Sequence, residues 1–497
     1  MKNIPAIILI MLSSVFFIFC SGLSAAERDG EDMPGFEDIK ALSLDECVRY
    51  SIYNSFEVKL ARLDLLIAET DKMYAESVFD AFLFGSATYA EDKRQPISIF
   101  GGDDKQENFY SAGITKELLT GTELTAEWSD TRDWVNTPFV TRNPSHSAEL
   151  TLEARQPVGK NFFGYIDRTN LSVTKLAIKN ADLEMKDRIE DYIAKTEKAY
   201  WKLVFVKRTV DLRKNIADQA RKLCETNKKN YNIGLIEKGP YYAAEANVII
   251  RETDLGIAEN NFRRAEENLK LIMNMPDPYR ILPTDSFHRE DIEYNLVECL
   301  NEAFEKRRDY KIRKRDVKIK NLTLKMRDNA KWPEIDLVAT MAMNGVEGTF
   351  KKAFGKTTVA DNTYYYAGVE VTIPVENREA RSEYKKAAYE KEKAILAMKE
   401  TERTIITEVG NSFRDLMTYN TSVSNMSEAV RLQSEKLEEE VKRFKYGRSW
   451  TKVLIDYQQD LLNAEMKEAI EFLARENACV ELEKDMNVLF DKYEETL

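Results

Sequence analysis

The chain of 497 residues is 43% hydrophobic and 32% charged, and it contains only 19 glycines and 12 prolines. This balance is typical of a folded, helix-rich protein with a large solvated surface. The formal net charge of −12 argues against a nucleic-acid-binding protein, which should carry a basic patch or stripe. We therefore expect no nucleic acid among the partners.

Residues 1–26 differ in composition from the rest of the chain. An apolar run over 4–20 is followed by the small residues SGLSAA, with Ser24 and Ala26 at the spacing of a cleavage site. The pattern predicts a secretory signal peptide at 1–26. An uncleaved membrane anchor is the alternative, although the run is short for a span of about 20 residues. Lipidation of Cys20, which ends the run, is disfavoured because a bulky phenylalanine precedes it.

The remaining chain has no run of about 18 consecutive apolar residues, the length that indicates a membrane-spanning helix. Only helices and closed barrels satisfy every backbone hydrogen bond in lipid. If the mature chain enters a membrane, we therefore expect it to do so as strands of a closed barrel.

A first structural repeat is predicted over 27–273. Its helix, strand region, long helix, glycine turn and return helix fall at 43–78, 81–158, 168–233, Gly234 and 236–273. Three prolines and several turn residues then mark 274–292 as a linker.

A second repeat, over 293–497, has the same order of elements. They fall at 295–330, 334–375, 381–446, Gly447 and 449–493. A shift of 252 residues places Cys47 on Cys299, and a shift of 213 residues places Gly234 on Gly447. Because many residues share these constant offsets, we infer an internal duplication.

Each long helix covers about 65 residues, which corresponds to nearly 100 Å at about 1.5 Å per residue. A globular core could not cover that length, so the helices must pair along it as an antiparallel coiled coil. The helical pattern alone is equally compatible with a long coiled-coil scaffold.

The strand regions have two faces of opposite character. In 147–154 and 364–373, apolar residues alternate with polar ones, among them Glu149, Glu153 and Glu370. Such alternation is typical of outer-membrane strands, but also of a half-buried soluble sheet. The signal peptide and the duplicated plan favour the membrane, so we predict that the three glutamates face a barrel lumen. One chain has too few strands for a wide pore, so a pore would need several chains.

Several segments carry a resemblance to a known family. They are LSLDECV at the start of the first repeat, WPEIDLVATM (332–341), TIPVENREARSEYKKAA (372–388), and YNIGLIE and FKYGRSWTKVLIDYQQ at the two turns. In this order, and with the duplication, they resemble the TolC-like outer-membrane export channels over roughly residues 40 to 495.

The resemblance implies an α+β membrane protein in which a trimeric outer-membrane β-barrel continues into a long antiparallel α-helical coiled-coil barrel. It implies a homotrimer in the cell outer membrane that extends into the periplasm, in contact with outer-membrane lipids. The linker and the C-terminal segment would belong to an equatorial region around the tube. The implied function is the exit duct of a tripartite efflux pump or type I secretion system, which passes small molecules or polypeptides. The implied partners are a periplasmic adaptor and an inner-membrane transporter.

The two glycine turns are the predicted periplasmic tip. The residues expected to contact a partner there are Gly234, Leu235, Ile236, Gly447, Arg448 and Ser449. Related channels often carry two acids six and nine positions beyond the second glycine, and these narrow the periplasmic entrance. Here those positions hold Val453 and Asp456, so the resemblance supports only Asp456 at the aperture.

The first repeat has a longer strand region than the second. Much of the excess, at 109–131, has the pattern of a hairpin that turns near Gly121. This hairpin either adds strands to the barrel or stands above it as an extracellular extension, and the sequence leaves both possibilities open.

The sequence offers no chemistry for catalysis, for a metal or for a cofactor. The cysteines after the signal peptide are Cys47, Cys224, Cys299 and Cys479, which form no CxxC or zinc spacing and can be either disulfide-bonded or buried. His146 and His288 are expected in loops or on the surface. No phosphate-binding loop or nucleophile motif is present, so we expect no enzyme. The alternative to a channel is a periplasmic coiled-coil adaptor or scaffold without a pore.

Overall fold

A computed structural model of the protein describes residues 41–95, 101–276, 280–287, 294–359 and 361–493. The predicted signal peptide with Cys20 lies outside these residues, as do His288 and parts of the linker.

The first repeat begins with two short helices and a set of four strands. Helices α1 and α2 span Leu44–Asn54 and Phe56–Glu76, and strands β1 to β4 span Ala81–Asp92, Lys105–Glu117, Glu123–Val135 and Ser145–Pro157. The long hairpin follows as α3, Tyr165–Asn232, and α4, Lys238–Met273.

The second repeat has the same plan with fewer strands. Its elements are α5 (Leu296–Lys306), α6 (Arg308–Asn329), β5 (Glu334–Glu347), α7 (Phe350–Thr357), β6 (Thr363–Thr372), α8 (Arg378–Lys445), α9 (Thr451–Asp485) and α10 (Leu489–Lys492). The long helices α3 and α8 both contain 68 residues and are related by the shift of 213 at both ends. At about 1.5 Å per residue, each is about 100 Å long.

The structure divides the two opening helices that the sequence predicts as continuous. Between α1 and α2, Ser55 has an extended backbone, and its hydroxyl accepts the N–H groups of Glu57 and Val58. This N-cap starts a new helix because it satisfies donors that would otherwise have no partner. Arg307 has a similar extended backbone between α5 and α6.

The C-terminal end also differs from the predicted helix over 449–493. Helix α9 ends at Asp485, because the chain turns at Asn487, which has a left-handed φ of 57°. The turn allows Phe490 and Tyr493 to pack into a buried cluster beside Cys47 and Tyr200. The linker residue Ile281 joins the same cluster, so the linker and the C-terminus meet near the middle of α3.

The strands form one antiparallel sheet in the order β1-β2-β3-β4-β5-β6. The predicted hairpin at 109–131 therefore forms β2 and β3 and belongs to this sheet. Helix α7, which the sequence analysis did not predict, connects β5 to β6.

The two long hairpins lie side by side. Helix α3 pairs with α4, α8 pairs with α9, and α3 also contacts α9. Near the turns, Leu223 of α3, Leu437 of α8 and Leu454 of α9 form a shared buried cluster. Apolar packing therefore holds the two turns at the same end of the molecule. Within the described ranges, no helix is both long enough and apolar enough to cross a membrane.

Candidate functional site

One face of the sheet is polar. The strand pairing places Glu149 opposite Ser129 on β3 and Asn344 on β5, and it places Glu153 between Thr125 and Thr340. Directly opposite residues in an antiparallel sheet point to the same side. The polar residues on this face are Ser86, Ser111, Thr115, Thr125, Glu127, Ser129, Glu149, Thr151, Glu153, Arg155, Asp336, Thr340, Asn344 and Glu370. The aromatic residues Phe82, Phe84, Phe109, Tyr364 and Tyr366 lie on the same face, on β1, β2 and β6. All three predicted lumen glutamates therefore share one face.

An arginine connects the carboxylates at one end of this face. Arg155 Nη1 lies 2.7 Å from Glu370 Oε2 and 3.1 Å from Asp336 Oδ2. Its Nε is 3.9 Å from Glu153 Oε1. The cluster links β4, β5 and β6 and places both signs of charge on the polar face.

The opposite face is apolar and open to the surroundings. Exposed large side chains on this apolar face are Leu83, Tyr89, Tyr110, Ile114, Leu124, Leu152, Leu337, Tyr365, Val369 and Val371. On β2, the apolar-face residues Ala112 and Ile114 are exposed, whereas Ser111 and Thr115 on the polar face are half-buried. A soluble sheet has the reverse pattern. A large exposed apolar surface marks a protein or membrane contact.

Helix α7 covers the apolar face at the end far from the long helices. Phe350 and Phe354 contact the ring of Trp128, with centroids 5.5 and 5.7 Å apart respectively. Beside them, His146 Nδ1 lies 2.9 Å from Oδ2 of the fully buried Asp130. His146 is thus a half-buried residue of β4, and the expectation that it lies in a loop or on the surface was wrong, because Asp130 and α7 hold it against the sheet.

The described residues provide no cluster of three or more histidine, cysteine or acidic side chains arranged to hold a metal ion. Cys47, Cys224, Cys299 and Cys479 all have free thiols, and all but Cys224 are buried. The pair formed by Asp130 and His146 is a local polar contact under α7 and has no neighbouring nucleophile among the contacts that the structure shows.

The two glycine turns have the same backbone geometry. Gly234 and Gly447 have φ values of 78° and 72°, which favour glycine over other residues. The Leu235 N–H donates to Asn230 O at 2.8 Å, and the Arg448 N–H donates to Arg443 O at 2.9 Å. These are the hydrogen bonds of a helix C-terminus that reverses at a left-handed glycine.

The predicted tip residues lie at one end of the molecule. Asn227 Nδ2 of α3 donates to Thr451 Oγ1 of α9 at 3.1 Å, which joins the two turns. Leu235 and Arg448 are exposed, whereas Ile236 and Ser449 are half-buried. The Ser449 hydroxyl donates to Glu440, so its position is fixed by the hairpin.

Sequence reasoning missed three exposed apolar side chains at the same end. Ile233 and Tyr446 directly precede the turn glycines, Trp450 lies three residues beyond Gly447, and the three side chains are 69%, 80% and 78% exposed respectively. Large apolar residues between two paired helices cannot lie in the interface between those helices, and their position at the turns was the signal that the sequence offered. They increase the apolar surface of the tip.

Asp456 lies on α9 beyond the second turn. Its side chain is exposed, whereas Leu454 and Gln458 on the same helix are buried against the neighbouring helices. Residues two apart on a helix differ by about 200° in direction. Asp456 therefore lies on the side of α9 that faces away from this packing.

Solved structures of channels share this fold. The outer membrane channel CmeC of Campylobacter jejuni is 14% identical with a TM-score of 0.63, over 91% of this chain and 89% of that one. The outer membrane protein VceC of Vibrio cholerae is 13% identical with a TM-score of 0.63, over 89% and 95%. The open state of the MtrE outer membrane channel of Neisseria gonorrhoeae is 16% identical with a TM-score of 0.65, over 89% and 88%.

These likenesses confirm the predicted TolC-like fold across most of the chain. The proteins concerned are described as outer membrane channels or an outer membrane protein, and not as enzymes. The sequence matches no protein-family model and no curated protein sequence.

Proposed function

We propose that the chain is an outer-membrane channel, the exit duct of a tripartite efflux pump or a type I secretion system. Three copies form one barrel in the outer membrane, and their long hairpins form a tube in the periplasm. A periplasmic adaptor and an inner-membrane transporter deliver the cargo at the tip. The shared fold with solved outer membrane channels supports this proposal.

The observation that carries the proposal is the inverted character of the sheet. Its apolar face is exposed and its polar face is half-buried on β2. In lipid, an apolar outer face and a polar inner face are the stable arrangement for a barrel. The six strands that the structure describes leave two open edges, which are not tolerated in the hydrocarbon region, so several copies must close the wall.

The tip supports a docking role. Ile233, Leu235, Tyr446 and Trp450 expose apolar surface at the end of helices that are about 100 Å long. Aromatic residues are common among the residues that dominate protein interfaces. Asp456 would place three related carboxylates near the axis of a trimer, and such a ring favours cations over anions.

The localisation and the pore can be tested together. We expect the protein in the outer-membrane fraction, and we expect discrete ion conductance when the purified protein is added to a planar lipid bilayer. Recovery only from the soluble periplasm, without conductance, would favour the alternative of a coiled-coil adaptor or scaffold.

The docking assignment predicts a loss of partner contact when the tip is altered. Replacing Trp450 by alanine should weaken adaptor binding about 30-fold, which corresponds to about 2 kcal/mol for an aromatic residue at the centre of an interface. Combining Arg448→Glu with Ser449→Trp should reduce export and site-specific crosslinking to the adaptor in the native cell.

A matched control for these tip variants is Arg431→Glu. Arg431 is an exposed arginine of α8 that pairs with Glu428 and Glu435 on its own helix. We expect this change to leave crosslinking and export intact. Normal crosslinking in both Trp450→Ala and the double variant would show that the partner docks elsewhere.

The lumen assignment predicts which cysteines react with a water-soluble, membrane-impermeant maleimide. Glu149→Cys, Glu153→Cys and Glu370→Cys should be labelled in intact cells, because water fills the lumen. Leu152→Cys and Val369→Cys, on the apolar face, should be protected by lipid. The background carries Cys224→Ser, because Cys224 is the one described cysteine that is not buried. The native Cys47 and Cys299 can remain, because burial raises the pKa of their thiols and lowers their reactivity. The opposite labelling pattern would exchange the two faces.

A further inference from the structure

The β2–β3 hairpin is an addition to the duplicated plan. Strand β1 corresponds to β5, because the shift of 252 places Ala87 on Ala339 and Ala90 on Ala342. Strands β4 and β6 correspond because each is the last strand before a long helix. In the described part of the second repeat, α7 stands between β5 and β6 where the first repeat has the hairpin.

The hairpin lies within the height of the sheet and not above it. It pairs with β1 over the full strand, from Ala81 opposite Lys116 to Asp92 opposite Lys105. On the other side, β3 pairs with β4 from Glu123 opposite Arg155 onward. An extension above the membrane would share only its base with the neighbouring strands.

The turn of the hairpin near Gly121, at the lower edge of the sheet next to the long helices, is fixed to the junction between sheet and helix. Gln156 Nε2 donates to Thr120 O at 3.0 Å, and the Thr122 hydroxyl donates to Gln156. At Gly121, a Cβ atom would lie 2.6 Å from Gly164 N, just before α3. Contact this close shows that the hairpin reaches the same lower edge as the other strands.

The hairpin also continues both faces of the sheet. Ser111, Thr115 and Ser129 extend the polar face, whereas Ile114 and Ala126 extend the apolar face. A hairpin that stood in water would have no need of an exposed apolar side. Its chemistry is that of a wall strand between lipid and water.

The geometry points to a barrel with six strands from each copy. β1 and β6 each have a partner on one side only within the described residues. Because the number of strands is even, β6 of one copy and β1 of the next run antiparallel, and they can pair by their free backbone groups. We infer that three copies of the six-stranded sheet close an eighteen-stranded barrel, and this inference rests on the proposed trimeric channel.

The added strands widen the outer end of the duct. With strands about 4.8 Å apart and tilted by about 40°, eighteen strands give a backbone diameter of about 36 Å, and twelve strands would give about 24 Å. The polar lining and the wider bore suit bulky, hydrophilic cargo. The outer-membrane end would then not be the narrowest part of the channel.

Distances between copies test the width directly. A spin label at Glu149→Cys, in the Cys224→Ser background, reports the separation of equivalent β4 strands in the purified trimer. For eighteen strands we expect a backbone separation of about 31 Å, which is √3 times the barrel radius.

The deletion variant replaces residues 93–144 by Asn-Gly and joins Asp92 to Ser145, which lie on the same face, through a tight hairpin turn. Its separation should shorten by about one third, to about 21 Å.

A loop variant serves as the control. Deleting residues 96–100, which lie in the sequence between the ends of β1 and β2, leaves all six described strands in place, so the distance should not change. A second measurement covers failure of the deletion variant to fold. In the otherwise intact chain, Ser111→Cys should react with the impermeant maleimide, and Ile114→Cys should not.

The outcomes separate this inference from the proposed function. Equal distances in the full chain and the deletion variant, or labelling of both Ser111→Cys and Ile114→Cys, would overturn the six-strand wall and leave the channel in place. If the spin labels show no distance between copies, and the protein shows no conductance, the proposed channel itself would be overturned.

Discussion

Replacing Arg308 by methionine should destabilise the protein by about 3–5 kcal/mol, because it leaves a buried carboxylate without its cation. Arg308 opens α6 and is 5% exposed, and its guanidinium donates to Glu190 of α3, which is 1% exposed. The same guanidinium lies 4.8 Å from the centre of the Phe490 ring in α10. Removing it would loosen three segments together.

The surrounding hydrogen bonds increase this effect. Asn487 Nδ2 donates to Glu190 Oε2 at 3.0 Å, and the Leu489 N–H donates to Glu190 Oε1 at 3.0 Å. Asn487 also accepts the Arg308 N–H at 2.9 Å. The carboxylate of Glu190 therefore holds the C-terminal segment against α3, and its position depends on Arg308.

The measurement is the free energy of unfolding of the purified protein in denaturant, with Arg313→Met as the control. Arg313 lies on the same helix, but it is half exposed and 3.8 Å from Asp316. Exposed pairs of this kind contribute roughly 0–1 kcal/mol. The double variant Arg308→Met with Glu190→Met should recover part of the loss, because no unpaired charge remains. Equal losses at Arg308 and Arg313 would contradict the assignment.

Replacing Gly164 by alanine should destabilise the junction between sheet and helix by about 3 kcal/mol. Gly164 has a left-handed φ of 70°, and a Cβ there would lie 2.6 Å from Gly121 N and 2.8 Å from Leu119 O. Both neighbours are backbone atoms and cannot move aside as a flexible side chain could. The expected result is a lower thermal midpoint and a displaced β2–β3 turn.

Gly256→Ala is the matched control for this substitution. Gly256 lies inside α4, and a Cβ there would have no neighbour within 4 Å. Alanine should stabilise this helix by up to about 1 kcal/mol, because glycine has a low helix propensity. If Gly164→Ala were as well tolerated, the close contact of the two glycines would not hold the hairpin.

The long elements could be predicted from the sequence because local rules determine them. The first long helix was predicted at 168–233 and spans Tyr165–Asn232, with Gly234 directly beyond its C-cap. Repeating apolar residues and a turn glycine suffice for this result. Alternation along 147–154 likewise assigned Glu149 and Glu153 to one face, and the strand pairing places both on the polar face.

The remaining features depend on contacts between distant segments. The break at Ser55 and the turn at Asn487 allow α1 and α10 to pack into a common cluster, and the members of that cluster come from distant segments of the chain. The contact between His146 and Asp130 exists because β3 and β4 are neighbours. The exposure of Trp450 depends on which helices meet at the tip. Strand order, which places the hairpin at 109–131 in the same sheet as the other strands, also depends on such contacts.

The equal lengths of α3 and α8 constrain how this chain can change in length. Each inserted residue would move one turn by about 1.5 Å along the axis and rotate it by about 100°. The contact between Asn227 and Thr451 would then be lost, because its partners sit on different hairpins. A change in the reach of the two hairpins must therefore occur in all four helices at once. The two repeats differ in sequence, but their long helices must keep one common length.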